Sequence, residues 1–497
     1  MKKSAVGLLI LAVLSQTAGA QTYPTDTLYD GTKAVPVLAQ PAYKQSVIDP
    51  VFGTRITRIS DVSMGPADAG LLNPYSKIQA WNSDSTKIML GSGRYVLDAI
   101  TYNVLLTQGF HMQARWSTVS PNDMFYILNN QFLRLNVQTG VDTVLRTFTQ
   151  GNINMGNGEG NLSIGDKYVV FNVIGGFTTV ILYDLETDTI AGIRNVAADT
   201  VNTVDFVSIS PSGLYVIAWH GPSGNGRNLV YDRANFANAS IAPRVIPDVH
   251  VGHEDNGYDT AGVESKISVC PMLRTRINTG VDLPLLPAPY NTSCGHISTR
   301  NYNRPGWALK SGNGELYAIK LDGSGIVERF AHERSSNRNY DAIPKGSASP
   351  DGSKVIWSSD WENTLAPIYA YVAEMPVNPC QGVLLDVSTA VSDGGFAYKI
   401  VKSFGTPPDN TNFLTQSTLR LFEQSLELGP AHSVHADIRN LGQGRFSHWS
   451  STTGTGEALR FAASDNTDPR TNGRSYTYCV PVTVPGAVSN WQLIPIP

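Results

Sequence analysis

Two phrases in the middle of the chain bring imidazole, guanidinium, carboxylate and phenol within a few residues of one another. They are Gly252-His253-Glu254-Asp255-Asn256-Gly257-Tyr258-Asp259 and Gly295-His296-Ile297-Ser298-Thr299-Arg300-Asn301. A histidine moves a proton near neutral pH, and a guanidinium neutralises a carboxylate. Such a set suits β-elimination from a uronic-acid sugar. A cation raises the acidity of the proton beside the carboxylate, a base removes that proton, and an acid protonates the leaving oxygen. His253 or His296 is read as the base, Arg300 or Arg115 as the neutraliser and Tyr258 as the acid, with Asp255, Lys345, His111 and Asn301 as substrate-binding groups. The alternative for each residue is structural, polar groups that only knit neighbouring loops together. A metal site from His250, His253 and Asp255 would match the ligand preference of several divalent metals, but the spacing is not diagnostic.

What must position these groups is legible as a repeat. A β-rich stretch, a Ser/Asp/Pro/Gly turn and a second apolar strand recur at Trp81-Asn82-Ser83-Asp84, Val119-Ser120-Pro121-Asn122, Leu162-Ser163-Ile164-Gly165 and Ser210-Pro211-Ser212-Gly213. The phrase returns at Tyr258-Asp259-Thr260-Ala261-Gly262, Arg304-Pro305-Gly306-Trp307 and Ser349-Pro350-Asp351-Gly352. The seven copies lie roughly 37 to 50 residues apart, the length of a four-stranded propeller blade. The expected fold is all-β, a seven-bladed β-propeller over 51–376 followed by a small C-terminal β-sandwich over 377–497, with a signal peptide over 1–20 and an N-terminal extension over 21–50. A chain of β-sandwich domains, the competing architecture, would show no fixed period. The last blade has three strands of its own, so Arg55-Ile56-Thr57-Arg58-Ile59-Ser60 is expected to complete it and close the ring. Residues some five places before each turn should start the innermost strands and face the central channel: Gln79, Arg115, Glu159, Asp205, His253 with Asp255, His296 with Arg300, and Lys345. A concave site with convergent charged groups is the default place for a ligand.

Bulk properties set the class. Lys2 and Lys3, the apolar run Gly7 to Leu14 and the small residues Ala18-Gly19-Ala20 read as a secretory leader, and no later apolar stretch is long enough to cross a bilayer. The expected product is secreted, with no membrane insertion. Losing the two lysines takes the formal charge from −4 to −6, which argues against a general nucleic-acid partner. Only 16% of residues are charged and there are 45 Gly and 29 Pro, a mix that favours short strands and tight turns over long charged helices. Four cysteines in an exported chain read as disulfides, and Cys270 with Cys294 and Cys380 with Cys479 is the preferred of the three pairings.

The phrases Gly295-His296-Ile297-Ser298-Thr299-Arg300, Pro305-Gly306-Trp307, and Tyr340 through Ser349-Pro350-Asp351-Gly352 to Ser358-Ser359-Asp360-Trp361 resemble those of secreted bacterial propellers of the oligogalacturonate lyase and ulvan lyase group, over about residues 50–375. The resemblance implies elimination carried by histidines, arginine and tyrosine at the propeller mouth, and in the oligogalacturonate enzymes a manganese ion held by histidines and a glutamine. Ile343-Pro344-Lys345-Gly346 stands where that group often has a histidine, so a full histidine-rich manganese site is not expected.

The tail has polar phrases of its own, Ala431 to Arg439 and Ser464 to Arg474. Asp465, Asn466 and Asp468 stack oxygen ligands as Ca²⁺ would require, against the alternative of an ordinary Asx-rich turn. His432, Arg439, His448 and Trp449 offer groups suited to sugar faces. Two functions follow. One is a polysaccharide lyase acting on a uronate-containing glycan, with Ca²⁺ or Mn²⁺ as the conceivable cofactor. The other is a non-catalytic extracellular propeller that binds a polysaccharide, oligosaccharide or protein, its tail serving attachment or assembly.

Overall fold

The structure, a computed structural model, describes residues 27–480 apart from 66–70, 110–112, 176–177, 200–203, 221–225, 249–252, 293, 375–382, 424–425 and 451–455. The segment expected to be a leader, His111, His250 and Cys380 therefore lie outside the described residues. Among those described, no helix is long and apolar enough to cross a membrane. The chain divides into two compact units, Met1–Met375 and Pro376–Pro497.

In the first unit seven antiparallel sheets follow one another along the sequence. Sheet one has strands Lys87–Leu90, Tyr95–Asp98 and Val104–Thr107, with Trp81 bridged to Ile88 where an inner strand would run. Sheets two to five, opening at Arg115–Trp116, Ile153–Asn154, Val204–Ile209 and Asp255–Tyr258, have four strands each in simple up-and-down order. Sheet six opens at His296–Ser298 and sheet seven at Ser347–Ala348.

Local chemistry explains the repetition. The strands next to the outermost in sheets one to three end on Asp98, Asn136 and Asp184, and each side chain accepts from backbone N–H groups two and three residues on, an Asx turn that starts the hairpin to the outer strand. The middle strands are apolar on both faces, as in Tyr168–Val173 where Val169, Val170 and Phe171 are all buried, because each sheet is covered on both sides by its neighbours. The outer strand Val141–Thr147 is mostly exposed.

Seven core clusters join consecutive sheets. Met89 and Val96 of sheet one pack with Trp116 and Met124 of sheet two, and Phe125 and Phe132 of sheet two with Val169 and Phe171 of sheet three. The same pattern links sheets three and four, four and five, five and six, and six and seven. The seventh cluster puts Ile356, Ala370 and Val372 of sheet seven against Trp81, Ile88 and Leu97 of sheet one. This cyclic succession of open sheets is a propeller-like arrangement.

The N-terminal side is woven into it. Arg55–Arg58 pairs antiparallel with Tyr369–Glu374 as the fourth strand of sheet seven, and Ser46–Ile48 adds a fifth. Thr27–Leu28 covers the outer edge of sheet six. The segment expected to be an extension thus contributes strands to two sheets.

The second unit is a sandwich of two four-stranded sheets. Leu421, Tyr476 and Tyr478 from one share a core with Ile400, Phe446, Leu459 and Phe461 from the other. A short α-helix, His435–Asn440, stands among the strands of this unit.

Candidate functional site

Most of the expected channel residues are at the starts of inner strands, but many are committed to the wall. Gln79 donates to the carbonyls of Arg300 (2.6 Å) and Ala348 (3.1 Å), stapling sheets one, six and seven. Arg115 is buried and donates only to carbonyls, those of Gly158 (2.7 Å), Gly160 (2.8 Å) and Ala114 (3.0 Å). Burial, then the like charge of Arg300, pushes its pKa down. Arg300 forks onto Asp255, Nε to Oδ2 at 3.1 Å and Nη2 to Oδ1 at 2.9 Å, with both side chains buried. Thr299 gives Asp255 two further hydrogen bonds through its N–H (2.8 Å) and hydroxyl (2.9 Å). Asn301 donates to the carbonyls of Arg304 and Trp307 and holds the turn between two strands.

These positions correct the sequence reading in part. A guanidinium already paired in two bonds, or saturated by carbonyls, has little left with which to neutralise a ligand carboxylate, and Asp255 is similarly filled. Tyr258 ends the strand that His253 precedes, about 16 Å away along extended chain, and lines a narrow cleft with Ile164, Pro211, Tyr302 and Trp307. At that separation it is out of reach as an acid for His253. His332 is fully buried on the outer strand of sheet six, where its ring stacks on Phe52 and meets Asp49.

A different set does converge. The rings of His253 and His296 stack at 4.4 Å, and Tyr75 meets His296 edge-on at 5.4 Å. Lys77, which leads into sheet one, is buried, pairs with Glu159 of sheet three at 2.6 Å and sits 3.6 Å over the ring of Phe206 of sheet four. Lys345, ahead of sheet seven, lies 3.9 Å over the ring of Tyr340. The phenol of Tyr75 is kept protonated by burial first and then by the charges of Glu159, Tyr340, Glu254 and Asp205. Six of the seven sheets, or the segments leading into them, therefore contribute to one axial cluster.

Proton affinities in the cluster follow from burial. The His253 pKa is lowered by burial and by Lys77, against smaller opposing effects of the Gly295 carbonyl and Glu159. Its Nδ1 lies 2.9 Å from that carbonyl, which can only accept, so Nδ1 carries the hydrogen and Nε2 is the basic nitrogen. His296 is 2% exposed, and its ring has only the backbone of Pro344 to offset burial. Burial, His253, Lys345 and Lys77 push its pKa down to about 3. Burial brings Lys345 down to about 8.

Gly295 is required beside this pair. It sits at φ +135°, where side chains are disfavoured, and a Cβ there would collide with the carbonyl oxygen of Ser311. The disulfide Cys270–Cys294, with Cα atoms 4.8 Å apart, fixes the residue before it to the chain that follows the second strand of sheet five. Cys479 is also disulfide-bonded.

Sequence reasoning missed Tyr75, Lys77 and Tyr340 as members. Tyr75 and Lys77 alternate with Gln79 just ahead of Trp81, a polar period-two pattern that could have flagged them.

In the tail, the expected calcium loop is closed by its own arginines. Asp465 pairs with Arg474 at 2.6 Å, Asp468 with Arg470 at 2.6 Å, and Asn466 Oδ1 accepts from the Gln443 N–H. These oxygens are spoken for, and no group of three or more His, Cys, Asp or Glu side chains among the described residues is placed to hold a metal. Arg439 binds Asp393, His432 binds Asp409 and His448 is buried in the sandwich, so three of the four residues expected to form a sugar face are engaged within the unit, while Trp449 is half-buried and meets His435 edge-on.

No protein-family model and no curated relative matches the sequence. Among solved structures, the chain is similar to an oligogalacturonate lyase from Vibrio parahaemolyticus, at 14% identity and TM-score 0.47, over 67% of this chain and 96% of that one. It is also similar to a chain of a mitotic checkpoint complex, at 13% identity and TM-score 0.42, over 70% of this chain and 98% of that one. Neither likeness reaches the level at which a neighbour's chemistry bears on this chain.

Proposed function

We propose that this is an exported protein that takes a uronate-containing glycan at the axial cluster and cleaves it by β-elimination. The observation that carries the reading is the meeting of an imidazole with a free basic Nε2, a protonated phenol and an ammonium group around one axis. Lys345 takes the role first given to arginine, lying against the substrate carboxylate and acidifying the adjacent C–H. His253 Nε2 removes that proton. Tyr75 donates its hydroxyl proton to the departing glycosidic oxygen, and a 4,5-unsaturated uronate remains. His296 backs the His253 ring and positions it. The calcium and manganese options have no support among the described side chains.

One observation favours the non-catalytic alternative. The cluster holds three carboxylates, Glu159, Asp205 and Glu254, against the two ammonium groups of Lys77 and Lys345, a balance better suited to a neutral or cationic ligand than to a polyanion.

The test is to incubate the purified protein with polygalacturonate, ulvan, alginate and glycosaminoglycans, with and without Mn²⁺ or Ca²⁺, and follow the absorbance of the unsaturated product. Product formation lost in His253→Ala is expected. No product from any polymer, together with binding of a neutral glycan, replaces the lyase reading with the binding one.

A further inference from the structure

In the second unit three side chains from three segments form a hydrogen-bonded line. Ser417 Oγ lies 2.7 Å from His448 Nδ1, and His448 Nε2 lies 2.7 Å from Glu457 Oε1. A carboxylate only accepts, so Glu457 fixes the hydrogen on Nε2 and leaves the Nδ1 lone pair facing the serine hydroxyl.

We propose that Ser417, His448 and Glu457 act as nucleophile, general base and orienting carboxylate in the hydrolysis of a short-chain acyl ester, an activity separate from the axial site. A nucleophile within hydrogen-bond reach of a base, and that base oriented by a third group, is the arrangement by which such centres are recognised on unrelated folds. The sandwich supplies it through register. His448 lies in strand Phe446–Ser450 opposite Leu459, and Glu457 begins the partner strand Glu457–Phe461, so the two side chains are diagonal neighbours. Phe404 packs edge-on to the imidazole at 5.1 Å and its N–H donates to Glu457 Oε1 at 2.6 Å.

Ser417 is held from the other side. Its N–H donates to Asp409 Oδ1 at 2.8 Å, and the Asp409 N–H donates to the His448 carbonyl at 2.9 Å. The loop between Asp409 and Ser417 carries Phe413 and Leu414, 60% and 62% exposed, apolar side chains next to the nucleophile in sequence that no core covers. Ser417 itself is only 6% exposed, so the acyl group proposed is a small one, acetyl.

In the reaction Oγ attacks the ester carbonyl carbon as its proton passes to His448 Nδ1. The ester C–O bond breaks, and the alkoxide leaves with that proton as the alcohol. Water, deprotonated by the same nitrogen, then releases the carboxylic acid and restores the serine. Burial outweighs the pull of Glu457 and keeps the imidazole neutral, as a base must be.

The test treats the full chain with a fluorophosphonate probe and, separately, with p-nitrophenyl acetate. The expected result is a covalent label mapped to Ser417 by mass spectrometry, with hydrolysis falling about 100-fold or more in Ser417→Ala. Glu457→Gln should lower kcat while leaving KM nearly unchanged, a split that loss of packing alone would not give. An unaltered protein that is not labelled at Ser417, or a Ser417→Ala variant that hydrolyses at the original rate, overturns the proposal. Because the labelling is read on the unaltered protein, misfolding of a variant cannot account for a negative result.

Discussion

His253 and His296 stack with ring centroids 4.4 Å apart and planes 26° from parallel. Two positive charges at that spacing in a buried setting oppose each other, so protonation of the pair costs stability. The folded-state pKa of His296, about 3, is far below the ordinary 6.5. Between those values the unfolded chain binds the proton that the folded chain refuses, so this contribution is fully present above about pH 6.5 and is lost as pH falls towards 3. Its size is on the order of a few kcal/mol. His296→Gln should flatten this part of the stability curve measured by urea unfolding between pH 4 and 7. A variant whose curve runs parallel to the original would show that His296 is not the group responsible.

If elimination takes place at the axis, its rate should rise as His253 loses its proton, below the ordinary histidine range, and fall as Lys345 loses its own near pH 8. Lys345→Arg should move the alkaline limb upward, because a guanidinium keeps its charge there. The measurement is kcat/KM against pH for both proteins, and an unmoved alkaline limb removes Lys345 from the mechanism.

The buried Asp255–Arg300 pair makes a stability prediction. Removing one partner leaves an unpaired charge in the wall, so Arg300→Met or Asp255→Leu alone should cost about 3 to 5 kcal/mol. The double variant should cost clearly less than the two singles added together. Chemical denaturation of the four proteins closes the cycle, and simple additivity would mean that the pair is not coupled.

Gly295→Ala tests the local geometry beside the histidines. The added methyl meets the Ser311 carbonyl in a backbone region unfavourable to alanine, and the carbonyl that fixes the His253 tautomer must shift. A loss of about 1 to 3 kcal/mol is expected. Unchanged thermal unfolding would mean that the loop accommodates the methyl.

Saturation of the 465–474 loop by Arg470 and Arg474 predicts indifference to calcium. Adding Ca²⁺ or a chelator should leave the thermal midpoint of the protein where it was, and a calcium-dependent rise would reinstate Asp465 and Asp468 as ligands.

The features legible in the sequence were those set locally. Ser349-Pro350-Asp351-Gly352 specifies its own turn, because Ser349 Oγ accepts from Lys354 N–H, Asp351 accepts from Ser353 N–H and Gly352 takes φ +70°. Likewise the apolar run in Thr179–Asp184 is enough to mark a strand, and the strand Arg55–Arg58 is expected because the last sheet lacks an outer member. What stayed hidden depends on partners far apart in sequence. Nothing within Gly252 to Asn301 says that Arg300 would spend its fork on Asp255, 45 residues earlier. Nor does the tail reveal that Asp465 faces Arg474 rather than open solvent, since a loop of oxygen-bearing residues has the same composition whether it holds an ion or binds itself. Tyr75 and Lys77 stay hidden because they precede the turn-and-strand phrase by which each sheet is recognised.

The ion pair between Arg55 and Glu374 joins positions 319 residues apart, at the seam where the strand Arg55–Arg58 meets Tyr369–Glu374. A growing polypeptide presents the first of these strands long before the second exists, so the earlier one, paired on one side with Ser46–Ile48, must wait with its other edge open while all the intervening hairpins form. A fragment ending before Tyr369 would leave that strand without its mate and the opening sheet without a neighbour on one side. A truncated product would therefore keep adhesive backbone exposed that only the finished chain conceals.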